Sequence, residues 1–102
     1  MFITGLAMVQ IIENRAEIEG ELLAIADDES RPGHKRATIA VGAVRPVGSY
    51  PNLLAETSGQ HIDVVIPQDA AGALKPGARL RCLARRTGPA GVFAESCTLI
   101  GP

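Results

Sequence analysis

The clearest hydrophobic and polar alternation in the chain runs from Arg79 to Arg86. Leu80, Cys82 and Ala84 fall on one side; Arg79, Arg81, Leu83 and Arg85 fall on the other. That is the period-two pattern of a half-buried strand. Gly88-Pro89-Ala90-Gly91 reads as a turn, and Val92 to Ile100 as a second strand rich in apolar and β-branched residues. A turn centred on Pro89-Ala90 pairs Thr87 with Val92, Arg86 with Phe93, Cys82 with Cys97 and Leu80 with Leu99. The predicted inward face is then Leu80, Cys82, Ala84, Phe93, Cys97 and Leu99. Arg79, Arg81, Arg85, Ser96 and Thr98 face outward. A slip of one residue would mix the faces, so burial selects this register, with a bulge as the local exception.

Ala16 to Ala26 alternates as cleanly. Ile18, Gly20, Leu22 and Ala24 form the inward set, with Glu17, Glu19 and Glu21 outward. Gly20 inside a strand signals a bulge or a tight bend. Asp27 to His34 is a polar loop turning at Pro32-Gly33, and Lys35 to Val47 is the returning strand. Their pairing predicts Ala24 opposite Ala37, Leu22 opposite Ile39, Gly20 opposite Val41 and Ile18 opposite Ala43. The outer side of this pair sets Glu17, Glu19 and Glu21 beside Ala40 and Gly42. Pro46 to Pro51 interrupts the strand, and Asn52 to Glu56 is read as its resumption. Ser58-Gly59 turns into a third strand, His61 to Pro67, with Ile62, Val64 and Ile66 inward. Gln68 to Leu74 is Ala-rich and suits one or two helical turns before Lys75-Pro76-Gly77 breaks the chain. Residues 1–15 are mostly apolar and suit a helix or an extra strand. Gly5 and the β-branched residues favour the strand or an extended segment, set apart from a domain spanning residues 16–102.

Two long strands, a third strand, a helical connector and a closing hairpin resemble the oligonucleotide/oligosaccharide-binding (OB) fold. The likeness is carried by Glu19-Gly20-Glu21-Leu22-Leu23 on the first strand and by Ser58-Gly59-Gln60-His61-Ile62-Asp63-Val64-Val65 around the third. Leu74-Lys75-Pro76-Gly77 before the fourth and Phe93-Ala94-Glu95-Ser96 on the fifth complete it. The resemblance covers roughly residues 16–100 and implies an all-β chain. Its architecture would be a five-stranded Greek-key barrel with the short helix between strands 3 and 4. A second threading makes Val41-Gly42-Ala43-Val44 the first strand and Asn52 to Thr57 the second, with the same closing hairpin.

Composition narrows the chemistry. The 102 residues include only Phe2, Tyr50 and Phe93 as aromatics, so the core must be aliphatic. The net charge of −1 hides an asymmetry: residues 1–30 carry seven acids against Arg15 alone, and residues 31–102 carry nine bases against four acids. Such a surface either steers a charged partner or consists of solvated faces on neighbouring strands. Two cysteines are too few for a secreted disulfide scaffold, so reduced thiols and a cytoplasmic protein are expected. Met1 to Ile12 is too short to span a bilayer and lacks the basic start of a signal peptide; no membrane partner is expected.

No catalytic constellation is visible. His34 and His61 are isolated and do not combine with Cys82 and Cys97 into metal-ligand spacing. No phosphate-cradling glycine loop is present. A non-enzymatic binding module without metal or cofactor is the expectation. Many OB-like domains bind single-stranded nucleic acid through a basic groove with aromatic platforms. The candidate residues here are Arg79, Arg81, Arg85 and Arg86 on the fourth strand, with Arg45, Lys35 and Tyr50. The alternative is a protein-interaction or self-assembling module, a homodimer using the apolar amino terminus and the small residues Ala40 and Gly42.

Overall fold

The computed structural model describes residues 12–89 and 91–101. The expectation for the apolar amino terminus therefore lies outside the described residues up to position 11. Five strands account for most of the rest: β1 Ala16–Asp27, β2 His34–Pro46, β3 His61–Pro67, β4 Arg79–Arg86 and β5 Val92–Gly101. A one-turn helix, α1 Gln68–Ala71, joins β3 to β4, and a 3-10 turn, Ala55–Thr57, precedes β3. The chain is all-β. Its mixed sheet closes on itself in the order β1-β2-β3-β5-β4, with β4 returning to β1. Every pair is antiparallel except β3 with β5. β2 is one uninterrupted strand and residues 52–57 are not a strand, so neither the expected resumption over Asn52 to Glu56 nor the second threading's strand over Asn52 to Thr57 is formed.

The interior is aliphatic, as the lack of aromatics requires. Ile18, Leu22, Ile39, Leu54, Val64, Ile66, Leu80 and Cys82 are its largest fully buried side chains. Inward alternation places all of these but Leu54. Leu54 comes from the loop after β2, where the Asn52 side chain accepts a hydrogen bond from the Leu54 N–H at 3.0 Å and fixes the turn. Leu54 is then fully buried in the shared core.

Bulges decide the register. Between Glu19 and Gly20 the pairing shifts, so Gly20 still meets Val41 but Ile18 meets Val44, not Ala43. Between Leu22 and Ala24 it shifts again. Leu22 keeps Ile39, while Ala24 meets Thr38 rather than Ala37. Gly20 itself is the point of closest approach: a Cβ there would lie 2.9 Å from Ile39 Cγ2 and against the Ala40 carbonyl.

The hairpin carries two further register shifts, one between Arg79 and Leu80 and one between Leu83 and Ala84. Cys82 faces Cys97 and Leu80 faces Leu99 as expected, but Ala84 faces Ala94, leaving Glu95 unpaired. From there Arg85 meets Phe93 and Arg86 meets Val92, not Phe93. The extra residue reverses the faces of the first half of β5. Val92 and Ala94 turn inward, and Phe93 turns outward, half-buried. The inward assignment of Phe93 is therefore overturned. Leu99 is also corrected, since it is 55% exposed although its partner Leu80 is buried.

Asn14, just before β1, is buried and extends the pairing with a side chain. Its amide donates to the Arg86 carbonyl at 3.1 Å and accepts from the Arg86 N–H at 2.8 Å. Nothing in the alternation pattern announces this cap. At the other end, Gly77 has φ +97° and donates its N–H to the Leu22 carbonyl at 2.8 Å. A residue with a Cβ rarely adopts that backbone angle.

Candidate functional site

The seven basic and aromatic residues singled out from sequence do not converge. Arg45 and Arg81 flank β1 from opposite sides and both bind Glu19, at 2.7 Å and 2.9 Å to the same Oε2. Glu17 completes the network, 3.5 Å from Arg45 and 3.8 Å from Arg81. Lys35 pairs with Asp27 across β1 and β2 at 2.6 Å. The acidic and basic parts of the sequence thus meet across neighbouring strands. Arg86 is spent on structure: Nε donates to the Leu53 carbonyl at 3.0 Å, one Nη to the Pro89 carbonyl at 3.1 Å, and the other to Glu56. The guanidinium of Arg15 lies 4.9 Å over the Tyr50 ring, and Tyr50 does not line the cleft that Arg31 and Arg36 share. Arg79 makes no ion pair among the described residues.

The Glu19 network has a pH signature. The hydrogen bonds from Arg81 and then Arg45 hold the Glu19 carboxyl below its ordinary value. A depressed folded-state value stabilises the fold above the unfolded carboxylate range, ~4.3 for Glu, and the contribution fades as pH falls through the folded value. Glu19→Gln should therefore lower the urea midpoint at pH 7 and narrow the gap to the parent at pH 3. Equal gaps at both pH values would mean that the charged network contributes nothing to folding.

Arg85 behaves differently from its neighbours on β4. Its guanidinium lies 4.9 Å over the Phe93 ring, a cation–π contact. The Phe93 ring also lies near His34, with ring centroids 6.2 Å apart and planes tilted by 54°. Cross-strand register extends this pair into a row. Arg36 is opposite Val65, Val65 opposite Phe93, and Phe93 opposite Arg85. One outer-surface row thus crosses β2, β3, β5 and β4 with a cation at each end and apolar groups between.

The row borders a surface cleft lined by Ser30, Arg31, Arg36, Asp63, Val65, Thr87, Gly91 and Val92. Its walls are the β1–β2 loop on one side and the β4–β5 loop on the other. Asp28 builds the first wall. Its Oδ1 accepts from the Ser30 N–H at 3.1 Å and the Ser30 hydroxyl at 3.0 Å, and Arg36 reaches it at 3.5 Å. Those bonds, led by the Ser30 N–H, hold the Asp28 carboxyl below its usual range. Asp63 accepts from the Thr38 hydroxyl at 2.8 Å and stands 4.0 Å from Arg36. Arg36 is thereby oriented along the cleft floor.

Arg31, Arg36, His34 and Phe93 were not among the sequence candidates. Arg31 and His34 look like ordinary loop residues, Arg36 like a strand-start cation, and Phe93 like core. The only signal for them was position, on the β1–β2 loop and near the starts of β2 and β5. No group of three or more metal-ligating side chains is present among the described residues. No described helix is long and apolar enough to cross a membrane. The chain matches no protein-family model, no curated protein and no solved structure.

Proposed function

We propose that the chain is a non-enzymatic, OB-like Greek-key barrel that binds single-stranded nucleic acid on the face between its β1–β2 and β4–β5 loops. The observation that carries this reading is the Arg36–Val65–Phe93–Arg85 row beside Arg31. OB-like domains use the second and third strands and these two loops for ligands. The ring order with a parallel β3–β5 closure and α1 between β3 and β4 supports that barrel. Single strands bind through cations that follow the backbone and rings that stack on bases. Arg31 and Arg36 are the phosphate contacts in this reading, and Phe93, with Arg85 over its ring and His34 tilted at 54° beside it, is the aromatic group that meets a base. The Arg79 and Arg81 end of β4 contributes little. Arg79 lies outside the lining of this cleft, and Arg81 is held by Glu17 and Glu19 at 3.8 Å and 2.9 Å, its nearer carboxylate closer than either Asp28 or Asp63 is to Arg36, at 3.5 Å and 4.0 Å. A cytoplasmic setting fits this role.

Fluorescence anisotropy with labelled oligo(dT) at low and moderate salt tests it. Affinity should fall as salt rises, since displaced counterions accompany each phosphate contact. Phe93→Ala should weaken binding by about 5- to 150-fold, the equivalent of ~1–3 kcal/mol of stacking. Arg36→Ala should weaken it and flatten the salt slope, whereas Arg79→Ala should leave both near the parent. No binding at low salt would sink the reading and leave the protein-interaction or self-assembling module. Equal losses for Arg79→Ala and Arg36→Ala would move the ligand to the β4 face.

A further inference from the structure

Cys82 and Cys97 face each other across the β4–β5 pair, both as free thiols. Their sulfur atoms are 2.6 Å apart. Cys82 is buried against β1, opposite Ile18, while Cys97 is half-buried and reaches the surface. The hairpin bulge lies one step away, where β5 gains the unpaired Glu95. Bulges increase local twist, and this one sits beside a cysteine pair that flat strands would hold slightly too far apart. Opposed strand residues have Cβ atoms ~4.5–5.5 Å apart, against ~3.5–4.5 Å in a disulfide. The side chains here are aimed at each other instead of being merely neighbours in a ladder.

We propose that this pair is a site of reversible covalent modification, closing to an intrachain Cys82–Cys97 disulfide when a thiol-oxidising disulfide reaches Cys97. This assignment is independent of nucleic-acid binding. The chemistry is thiol–disulfide exchange. The Cys97 thiolate attacks one sulfur of the incoming disulfide, breaks its S–S bond and expels a thiolate that takes up a proton. The resulting mixed disulfide is attacked by Cys82, whose proton goes to the second departing thiolate. The two cysteines lose two electrons and two protons together, and the incoming disulfide becomes two thiols. Cys82 donates a hydrogen bond to Cys97, which holds the Cys97 thiol below its ordinary value; the same coupling, with burial, pushes Cys82 up. Cys97, the less buried of the two, is the attacking group and Cys82 the resolving one.

Oxidised glutathione is the probe. The reduced full-length chain, freed of reductant, is incubated with it at neutral pH, quenched with acid, unfolded and alkylated with a maleimide. Intact mass should show loss of two hydrogens and no maleimide or glutathione. The oxidised protein should also unfold at a higher urea midpoint than the reduced one, because the bond restricts the unfolded chain. Cys82→Ser should stop the reaction at a stable glutathione adduct on Cys97. Cys97→Ser, which leaves the buried partner in place, should gain no adduct while folded. A lasting adduct on the parent, two alkylated thiols or a covalent dimer would overturn the assignment. A lowered midpoint after bond formation would also overturn it, since the strands would then have to separate to make the bond.

Discussion

Gly20→Ala should destabilise the fold by about 3 kcal/mol or more, at or above the upper end of ordinary overpacking costs. The reason is space, not backbone conformation. Gly20 lies in β1 where the strand presses onto β2, and an added Cβ would meet the Ala40 carbonyl and come within 2.9 Å of Ile39 Cγ2. A flexible side chain could swing away, but a carbonyl in a strand ladder moves only with its strand. Relief therefore means parting β1 from β2 at the bulge. Gly42→Ala is the matched control. It stands on the same strand pair, and its added Cβ would meet only the Glu19 carbonyl at an ordinary 3.6 Å. Urea denaturation of both variants checks this. A Gly20→Ala midpoint equal to that of Gly42→Ala would show that β1 and β2 do not approach as described.

Leu22→Ala should cost about 2–5 kcal/mol, the range for deleting a buried leucine side chain. Leu22 is fully buried, faces Ile39, and sits just before the second bulge of β1. Its backbone is tied on both sides of the peptide. Leu22 N–H donates to the Ala78 carbonyl at 2.9 Å, and its carbonyl accepts from Gly77. Such a pinned strand has little freedom to collapse into the space left behind, which argues for the upper half of that range. Phe93→Ala provides the contrast. Despite being the larger side chain, it lies half-buried on the outer surface, so truncating it should cost less stability than Leu22→Ala. Chemical denaturation of the pair distinguishes these placements. If Phe93→Ala proves the more damaging variant, Phe93 belongs inside and the outer-surface row loses its platform.

How far the sequence reaches is visible in these two residues. Leu22 and Gly20 stand in a segment whose alternation holds from Ala16 to Leu22, and period two assigns both to the inward side; Ala24, assigned inward by the same count, lies exposed beyond the second bulge. Phe93 stands in an equally plain strand, yet alternation assigns it to the wrong side. Between Phe93 and the well-placed Cys97 lies Glu95, which occupies a position in the chain but none in the ladder. Periodicity counts residues; hydrogen-bonded pairing skips one. The same effect moved Ile18 and Ala24 by one partner while leaving Gly20 and Leu22 in place. The candidate cations suffered in a related way. Their number and strand positions were legible, but not that Glu17 and Glu19 on β1 lie between Arg45 on β2 and Arg81 on β4.

What the sequence by itself determined was local. Five strands, the turns between them, the short helix after β3, an aliphatic interior and the facing of Cys82 by Cys97 all follow from period, Gly and Pro placement and composition. These depend on residues near one another in the chain, where the backbone has few choices. Tertiary structure alone decided which carboxylates each arginine meets and how closely. It also decided that Arg36, Val65, Phe93 and Arg85 would form one row. That row joins four strands through three separate pairings, one of them the parallel closure of β3 on β5. Its alignment rests on the offset introduced by a single bulge. Closing the ring trades each strand's freedom to slide for burial of Leu80, Ile39 and Val64 together, and only that shared core fixes all three registers at once.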